Sequence, residues 1–379
     1  MQNTWIGNRR FLHVCYTGDR FLKQEHPLDA VVIGCGRMGA FTDKSMKRYS
    51  PPGWNPLSHV DALVSLRRYY SLKALCDADE NKLIKAGKKY GVDNLSTDYE
   101  TIIRRIRPDV VSIATRTDIR NEIMAFAIKL GVKGIHGEKP FAQSIKEAKK
   151  MIGLFKKHHI QFTFGTYRRY HGIYRAAKKM LQSGEIGNIV QINVEHGRST
   201  LMWTHPHSID LCLYFSDCEE IATVQGNCII SKFDKANNTI IDDPVVLGGM
   251  IRFSNGIIGV IGTGGGMNTR IHGEKGILTI SANGSKIVIE KKGKGGSPYF
   301  TKTKTIQSTK PMKSGTQNAL LELYSAVTRN FETHYDSIVQ NQKILMALAY
   351  SSLMGGRIID CRAVPEDFRI LGKFGNLPA

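Results

Sequence analysis

Asp29-Ala30-Val31-Val32-Ile33 runs directly into Gly34-Cys35-Gly36-Arg37-Met38-Gly39, and this junction decides the fold. An apolar run of that length reads as a buried strand, and the G-x-G-x-x-G spacing behind it as a tight turn that opens a helix. The first glycine permits the turn, the second lets the backbone approach a pyrophosphate, and the third allows close packing of helix on strand. Backbone N–H groups at such a helix start favour an anion. Gly34, Cys35, Gly36, Arg37, Met38 and Gly39 are therefore expected to hold dinucleotide phosphates. A purely structural strand–helix turn is the competing reading.

Outward from that loop the pattern is regular. Further strands are expected over Leu72–Cys76, Asp109–Thr115, Val132–His136 and Gln161–Gly165. Helices are expected over Glu80–Tyr90, over a stretch capped by Thr117, and over Lys146–His158. Strands alternating with helices predict a doubly wound parallel sheet. From about Asn188 the texture changes to consecutive strands: Ile189–Glu195, Ile221–Ser231, Val245–Phe253, Ile257–Gly262, Gly276–Ser281 and Lys286–Glu290. Turn sequences Ser254-Asn255-Gly256 and Asn283-Gly284 join several of them. Ala319–Phe331 and Ile338–Met354 return to helical spacing, as a helix packing back across the domain junction would. The expected fold is α/β. Residues 29–143 form an N-terminal Rossmann domain, and residues 144–379 a C-terminal α/β domain with a large, open, mainly antiparallel sheet. Residues 1–28 read as an N-terminal extension.

Composition removes other classes. The chain has 379 residues, long enough for two domains, with 53 Lys+Arg against 33 Asp+Glu and a formal charge of +20. No apolar run approaches the ~18 residues of a membrane span, and the first residues lack the apolar core of a secretory signal. The seven cysteines (Cys15, Cys35, Cys76, Cys212, Cys218, Cys228, Cys361) are odd in number, with no CxxC pair. Neither a disulfide framework nor a metal site is expected, and a cytoplasmic location fits. The basic excess lies in stretches such as Lys146–Lys157 and Lys286–Lys313, the second interleaved with Gly, Ser and Thr. It reads as solvated surface rather than a nucleic-acid site.

Asp77 ends the second strand, where a carboxylate accepts hydrogen bonds from ribose hydroxyls and repels a 2′-phosphate. NAD is therefore the expected cofactor; NADP stays open because Arg37 would suit a 2′-phosphate. Asp77 lies 38 residues beyond Gly39, where about 20 is usual. An insertion around Lys44–Ser58, whose Ser50-Pro51-Pro52-Gly53-Trp54-Asn55-Pro56 stretch is incompatible with helix, would account for the excess.

Gly137-Glu138-Lys139-Pro140 follows the fourth strand, at the carboxyl edge where open α/β sheets bind ligands. Lys139 there would stabilise an alkoxide, with Glu138 as its pairing partner. Together with GCGRMGA, EKPFA, Gly165-Thr166-Tyr167-Arg168-Arg169-Tyr170-His171 and His207-Ser208-Ile209-Asp210-Leu211, the chain resembles the Gfo/Idh/MocA oxidoreductases from about Leu28 to Cys361. The resemblance implies NAD(P)-linked redox chemistry on a sugar, sugar nucleotide or cyclitol. It places Lys139 beside the nicotinamide and the reacting hydroxyl, and makes His207 the acid/base, with His205 in reserve. Imidazole chemistry suits that role, since its ordinary pKa lies near ~6.5. Thr115 and Glu138 complete the implied cofactor contacts. Tyr167, Arg169, His171 and Trp203 join Lys139 and His207 around the substrate.

One departure is visible. Many members carry an aspartate four residues before the histidine, where this chain has Trp203. Asp210, three residues after His207, would lie on the same helix face and is a candidate to orient it; Pro206 would begin that helix. Two other readings stand beside the dehydrogenase: a dinucleotide-binding sensor without turnover, and an NAD-assisted cleavage of a glycosidic bond. The implied partners are a small sugar-like substrate and further copies of the chain. Leu247–Phe253 and Ile257–Gly262 of the C-terminal sheet are the candidate strands for a homodimer or homotetramer.

Overall fold

The computed structural model describes residues 26–293, 299–307, 312–329, 333 and 335–372. Most of the expected N-terminal extension (1–25) and two parts of the lysine-rich stretch (294–298 and 308–311) lie outside the described residues. The first half alternates as β1 (Leu28–Ile33), α1 (Lys44–Tyr49), α2 (His59–Ser65), β2 (Tyr70–Cys76), α3 (Glu80–Tyr90), β3 (Leu95–Ser96), α4 (Tyr99–Ile106), β4 (Val110–Ile113), α5 (Thr117–Lys129), β5 (Gly134–Gly137), α6 (Ile145–Lys157) and β6 (Gln161–Phe164). The six strands pair in parallel in the order β3-β2-β1-β4-β5-β6. Strand alternation sends Val31 and Ile33 into one apolar layer with Ile102, Ile123 and Phe155. Ala30 and Val32 enter the opposite layer with Leu63, Tyr70 and Tyr324. Both faces are thus covered, as a parallel sheet requires. The sheet closes on β6 and so runs past residue 143.

The second half comprises α7 (Gly172–Gln182), β7 (Ile189–Glu195), α8 (Leu201–Ser216), β8 (Ile221–Ile229), β9 (Phe233–Asp234), β10 (Thr239–Ile240), β11 (Val245–Phe253), β12 (Ile258–Gly262), β13 (Asn268–Gly273), β14 (Gly276–Ser281), β15 (Lys286–Lys292), β16 (Phe300–Gln307), α9 (Gly315–Arg329), α10 (Asp336–Leu353) and β17 (Arg369–Ile370). Eight strands build one sheet, β16-β15-β14-β13-β7-β12-β11-β8, antiparallel except where β7 meets β12. Its inner residues Ile192, Val194, Ile261, Ile271 and Leu278 share a core with Phe215 of α8 and Leu345 and Leu348 of α10. Leu320, Leu323 and Tyr324 of α9 instead join the first domain's core, so a late helix does cross the junction.

Several local expectations change. Thr117 is the first residue of α5, Arg116 occupies the cap position, and no side chain caps the helix. Helix α8 starts at Leu201 and carries Pro206 inside it. The largest difference follows the glycine loop, where only one helical turn forms, with Ala40 N and Phe41 N both bonded to Gly36 O. The chain then departs through α1 and the proline-rich stretch and returns to finish the interrupted helix. His59 N donates to Met38 O at 2.8 Å and Val60 N to Gly39 O at 2.9 Å. In a continuous helix those acceptors lie four residues back, and here they lie 21 back. Seventeen residues are therefore inserted, which leaves Asp77 the equivalent of 21 beyond Gly39 and removes the spacing anomaly.

Candidate active site

The C-terminal ends of β1, β2, β4 and β5 bring the expected groups to one edge of the parallel sheet. Gly34 has φ +95°, and a Cβ there would lie 2.8 Å from the Ala114 carbonyl carbon. A Cβ on Gly39 would lie 1.8 Å from Gly34 O. Only glycine fits either place. Gly36 is different, because a Cβ there would meet nothing within 4 Å. That open backbone face is the space a pyrophosphate needs, so the loop fits a dinucleotide. Cys35 contributes backbone only. Its thiol is buried, and burial pushes the thiol up to about 12. Asp77 Oδ2 accepts the Cys35 N–H at 2.5 Å and Oδ1 the Asp79 N–H at 2.8 Å. Each oxygen keeps a second lone pair for a ribose hydroxyl. Met38 packs on the insertion, against the cluster of Trp54, Leu57 and Tyr167.

Lys139 reaches across from the first domain to the second. Its Nζ donates to Trp203 O at 2.5 Å and sits 3.9 Å from the centre of the Trp203 ring. The Arg37 guanidinium of the glycine loop covers the same ring at 4.8 Å. Trp203 is 40% exposed, so part of the indole remains accessible between the cofactor loop and the lysine. Burial lowers the Lys139 ammonium to about 8 despite the Glu138 carboxylate; the Arg120 and Arg37 cations push the same way. Trp203 is fixed by Asp243, whose two oxygens accept the Met202 and Trp203 N–H groups at 2.7 and 3.0 Å. Burial raises that carboxyl to about 6.

His207 is half-buried in α8, and its Nδ1 is buried without a hydrogen-bond partner. Burial, then the Arg168 and Lys139 cations, hold the imidazole well below its ordinary 6.5. Asp210 does not orient it. Asp210 instead takes Arg169 in a two-pronged pair, Nη2 to Oδ1 at 2.6 Å and Nε to Oδ2 at 3.0 Å. This also corrects the expectation for Arg169, whose fork is engaged at the domain junction. His205 is buried and bonds through Nδ1 to Ser208 Oγ at 3.1 Å, and Ser208 in turn to His196 Nδ1 at 3.1 Å.

Three other expected groups are turned inward. Glu138 does not pair with Lys139: its Oε1 accepts from Tyr167 Oη and lies 3.3 Å from His59 Nε2. Against the burial cost, the His59 hydrogen bond and charge then hold the Glu138 carboxyl down to about 2. Tyr167 is buried in that cluster rather than lining a cleft. His171 caps α7, accepting the Ile173 N–H through Nδ1 and donating through Nε2 to Pro52 O at 3.1 Å. Its ring stacks on Trp54 at 5.5 Å, and Trp54 Nε1 donates to Asn283 O at 2.7 Å. The insertion thus pins the two domains together, and His171 serves that joint. Thr115 stays half-buried at the end of β4, its carbonyl accepting from Arg120 at 2.5 Å.

Comparison with known proteins bears on the same half of the chain. Residues 28–166 match the profile of an oxidoreductase family with an NAD-binding Rossmann fold. Oxidoreductase P35 of Formosa agariphila is 26% identical over 261 residues, which cover 62% of this chain and 79% of that protein. Levoglucosan dehydrogenase of Pseudarthrobacter phenanthrenivorans is 24% identical over 253 residues, covering 56% of this chain and 63% of that one. A solved levoglucosan dehydrogenase in complex with NADH and levoglucosan superposes with a TM-score of 0.68 at 19% identity, covering 89% of this chain and all of the other. That last likeness carries the fold.

Proposed function

We propose that this chain, whose residues 28–166 match an oxidoreductase family with an NAD-binding Rossmann fold, is a Gfo/Idh/MocA-type oxidoreductase that interconverts a secondary hydroxyl and a ketone on a sugar, sugar nucleotide or cyclitol. The observation that carries the reading is the contact of Lys139 with Trp203 beside the open glycine loop. A bound nicotinamide dinucleotide supplies the hydride acceptor or donor. Gly34–Gly39 and Asp77 hold its phosphates and ribose. Lys139 donates to the substrate oxygen and stabilises the charge that develops there, and His207, neutral at physiological pH, takes the hydroxyl proton. The exposed part of the Trp203 indole packs on the apolar side of the sugar ring. The test is absorbance at the NADH band over a panel of aldoses, sugar acids, sugar nucleotides and inositols. NADH formation with at least one member supports the proposal, and cofactor binding without turnover favours the sensor reading.

The pH dependence has a defined sign. His207 is held below 6.5, so its base form persists on the acid side and oxidation does not fall between pH 7 and about 6. The ammonium form of Lys139 is lost as pH passes about 8, so oxidation declines above that value. A rate still rising about two units higher would make Lys139 the base instead.

A second copy of the chain completes the proposal. Leu247 on β11 is 38% exposed, and Ile258 and Val260 on β12 point away from the α8–α10 side of the sheet. Covering that outer face would give a dimer or tetramer. All six described cysteines are free, which fits a reducing, cytoplasmic setting. No helix among the described residues is long and apolar enough to cross a membrane.

A further inference from the structure

We infer that Arg120 of α5 is the positioning residue for Lys139, because one buried guanidinium binds the carbonyls on both sides of that lysine and the carbonyl of the neighbouring Thr115 loop. Arg120 is 2% exposed. Its Nη1 donates to Glu138 O at 2.6 Å and to Pro140 O, and its Nη2 to Thr115 O at 2.5 Å. Glu138 and Pro140 immediately flank Lys139. Thr115 follows Ala114, whose carbonyl is the wall against which Gly34 turns. A single side chain therefore joins the loop that presents the lysine to the loop that borders the cofactor cradle.

The residue type matters. Guanidinium offers five donors in one rigid plane, whereas lysine offers a point charge that cannot span three carbonyls. Arg120 Nε is buried without a partner, and Arg120 belongs to none of the ion pairs among the described residues. Even with burial drawing it down to about 10, the group stays charged at neutral pH. A buried cation with no direct ion pair is costly even with the Glu138 carboxylate acting on it, and a packing role alone would be served by a neutral donor. What the charge adds is its field at the next loop. The groups acting on the Lys139 amine are Glu138 and Asp243, which favour the ammonium, and Arg120 and Arg37, which oppose it; His207 stands nearby as a neutral imidazole. Arg120 thus fixes where the lysine points and helps hold its amine in a range where protons exchange near neutrality.

This inference rests on the oxidoreductase reading for its kinetic consequence but not for its first readout. Arg120→Lys and Arg120→Met are prepared in the full-length chain, with circular dichroism to confirm folding. The acetylation of Lys139 by acetic anhydride is followed against pH by peptide mass spectrometry, which needs neither cofactor nor substrate. The expected midpoint for Arg120→Met moves upward by half a unit or more, and for Arg120→Lys stays with the wild type. On a substrate the wild type turns over, both variants lose about tenfold or more in kcat while NADH binding stays within about threefold. A folded Arg120→Met with the wild-type midpoint and wild-type kcat overturns the inference. Should that variant not fold, Arg120→Lys decides, and an unchanged kcat there overturns it equally. Failure of the wild type to bind NADH would instead strike the oxidoreductase reading and leave the labelling result standing.

Discussion

Replacing Lys139 by alanine will lower kcat by about 10²–10³-fold while NADH binding stays within a factor of about three. The first figure follows from removing a positioned donor to a developing oxyanion inside a partly dried cleft, where its field is least screened. The second follows from position. The amine contacts the Trp203 carbonyl and ring, and the phosphate cradle is made by Gly34–Gly39. Removing the side chain leaves the backbone of its loop held by Arg120 through Glu138 O and Pro140 O, so the fold should not register the change. Lys139→Arg will not rescue activity, because a planar fork cannot replace a point donor above the Trp203 ring. Stopped-flow measurement of NADH appearance separates chemistry from release. A purified Lys139→Ala variant with near-normal turnover would remove the lysine from the reaction.

The second large effect is expected at His207, where asparagine will lower kcat by about 10²–10⁴-fold. The range is wide because the imidazole is strongly tuned. Burial and the Arg168 and Lys139 cations hold it neutral, so its base form is present near pH 7 but is a weak base. Oxidation and reduction should fall together, because both cross the same proton-transfer step. No Asp210 effect should pass through His207, since that carboxylate is committed to Arg169. Asp210→Asn is expected to weaken the domain joint and lower the melting temperature before it alters the pH profile. If His207→Asn keeps normal turnover while His205→Asn loses it, the proton passes through His205 instead.

The nucleotide half was legible because its signals are local: an apolar run, three glycines, an acidic strand end. The insertion was readable only as a stretch hostile to helix. That it interrupts one helix and hands His59 to the Met38 carbonyl is a long-range fact, invisible to spacing. Glu138 shows why adjacency misleads. Neighbours on extended chain point to opposite sides, so Lys139 faces the cleft while Glu138 enters the core beside His59 and Tyr167. The three-residue spacing of His207 and Asp210 was real, but Arg169, 41 residues away, holds Asp210 with two hydrogen-bonded contacts. Strand β16, Phe300–Gln307, lacked an apolar alternation because it is an edge strand whose Lys302, Thr303, Lys304 and Thr305 are exposed. Arg120, His59 and Asp243 gave no signal at all. Each acts on a backbone or side chain that only the folded chain brings near.

The central claim is most directly tested by fluorescence titration of protein freed of copurified cofactor with NADH and, separately, NADPH, repeated on Asp77→Ala. NADH is expected to bind saturably and at least about tenfold more tightly than NADPH, a difference of some 1.4 kcal/mol, with that preference lost in the variant. Binding of neither dinucleotide by the wild type would contradict it and leave the glycine loop as a turn alone.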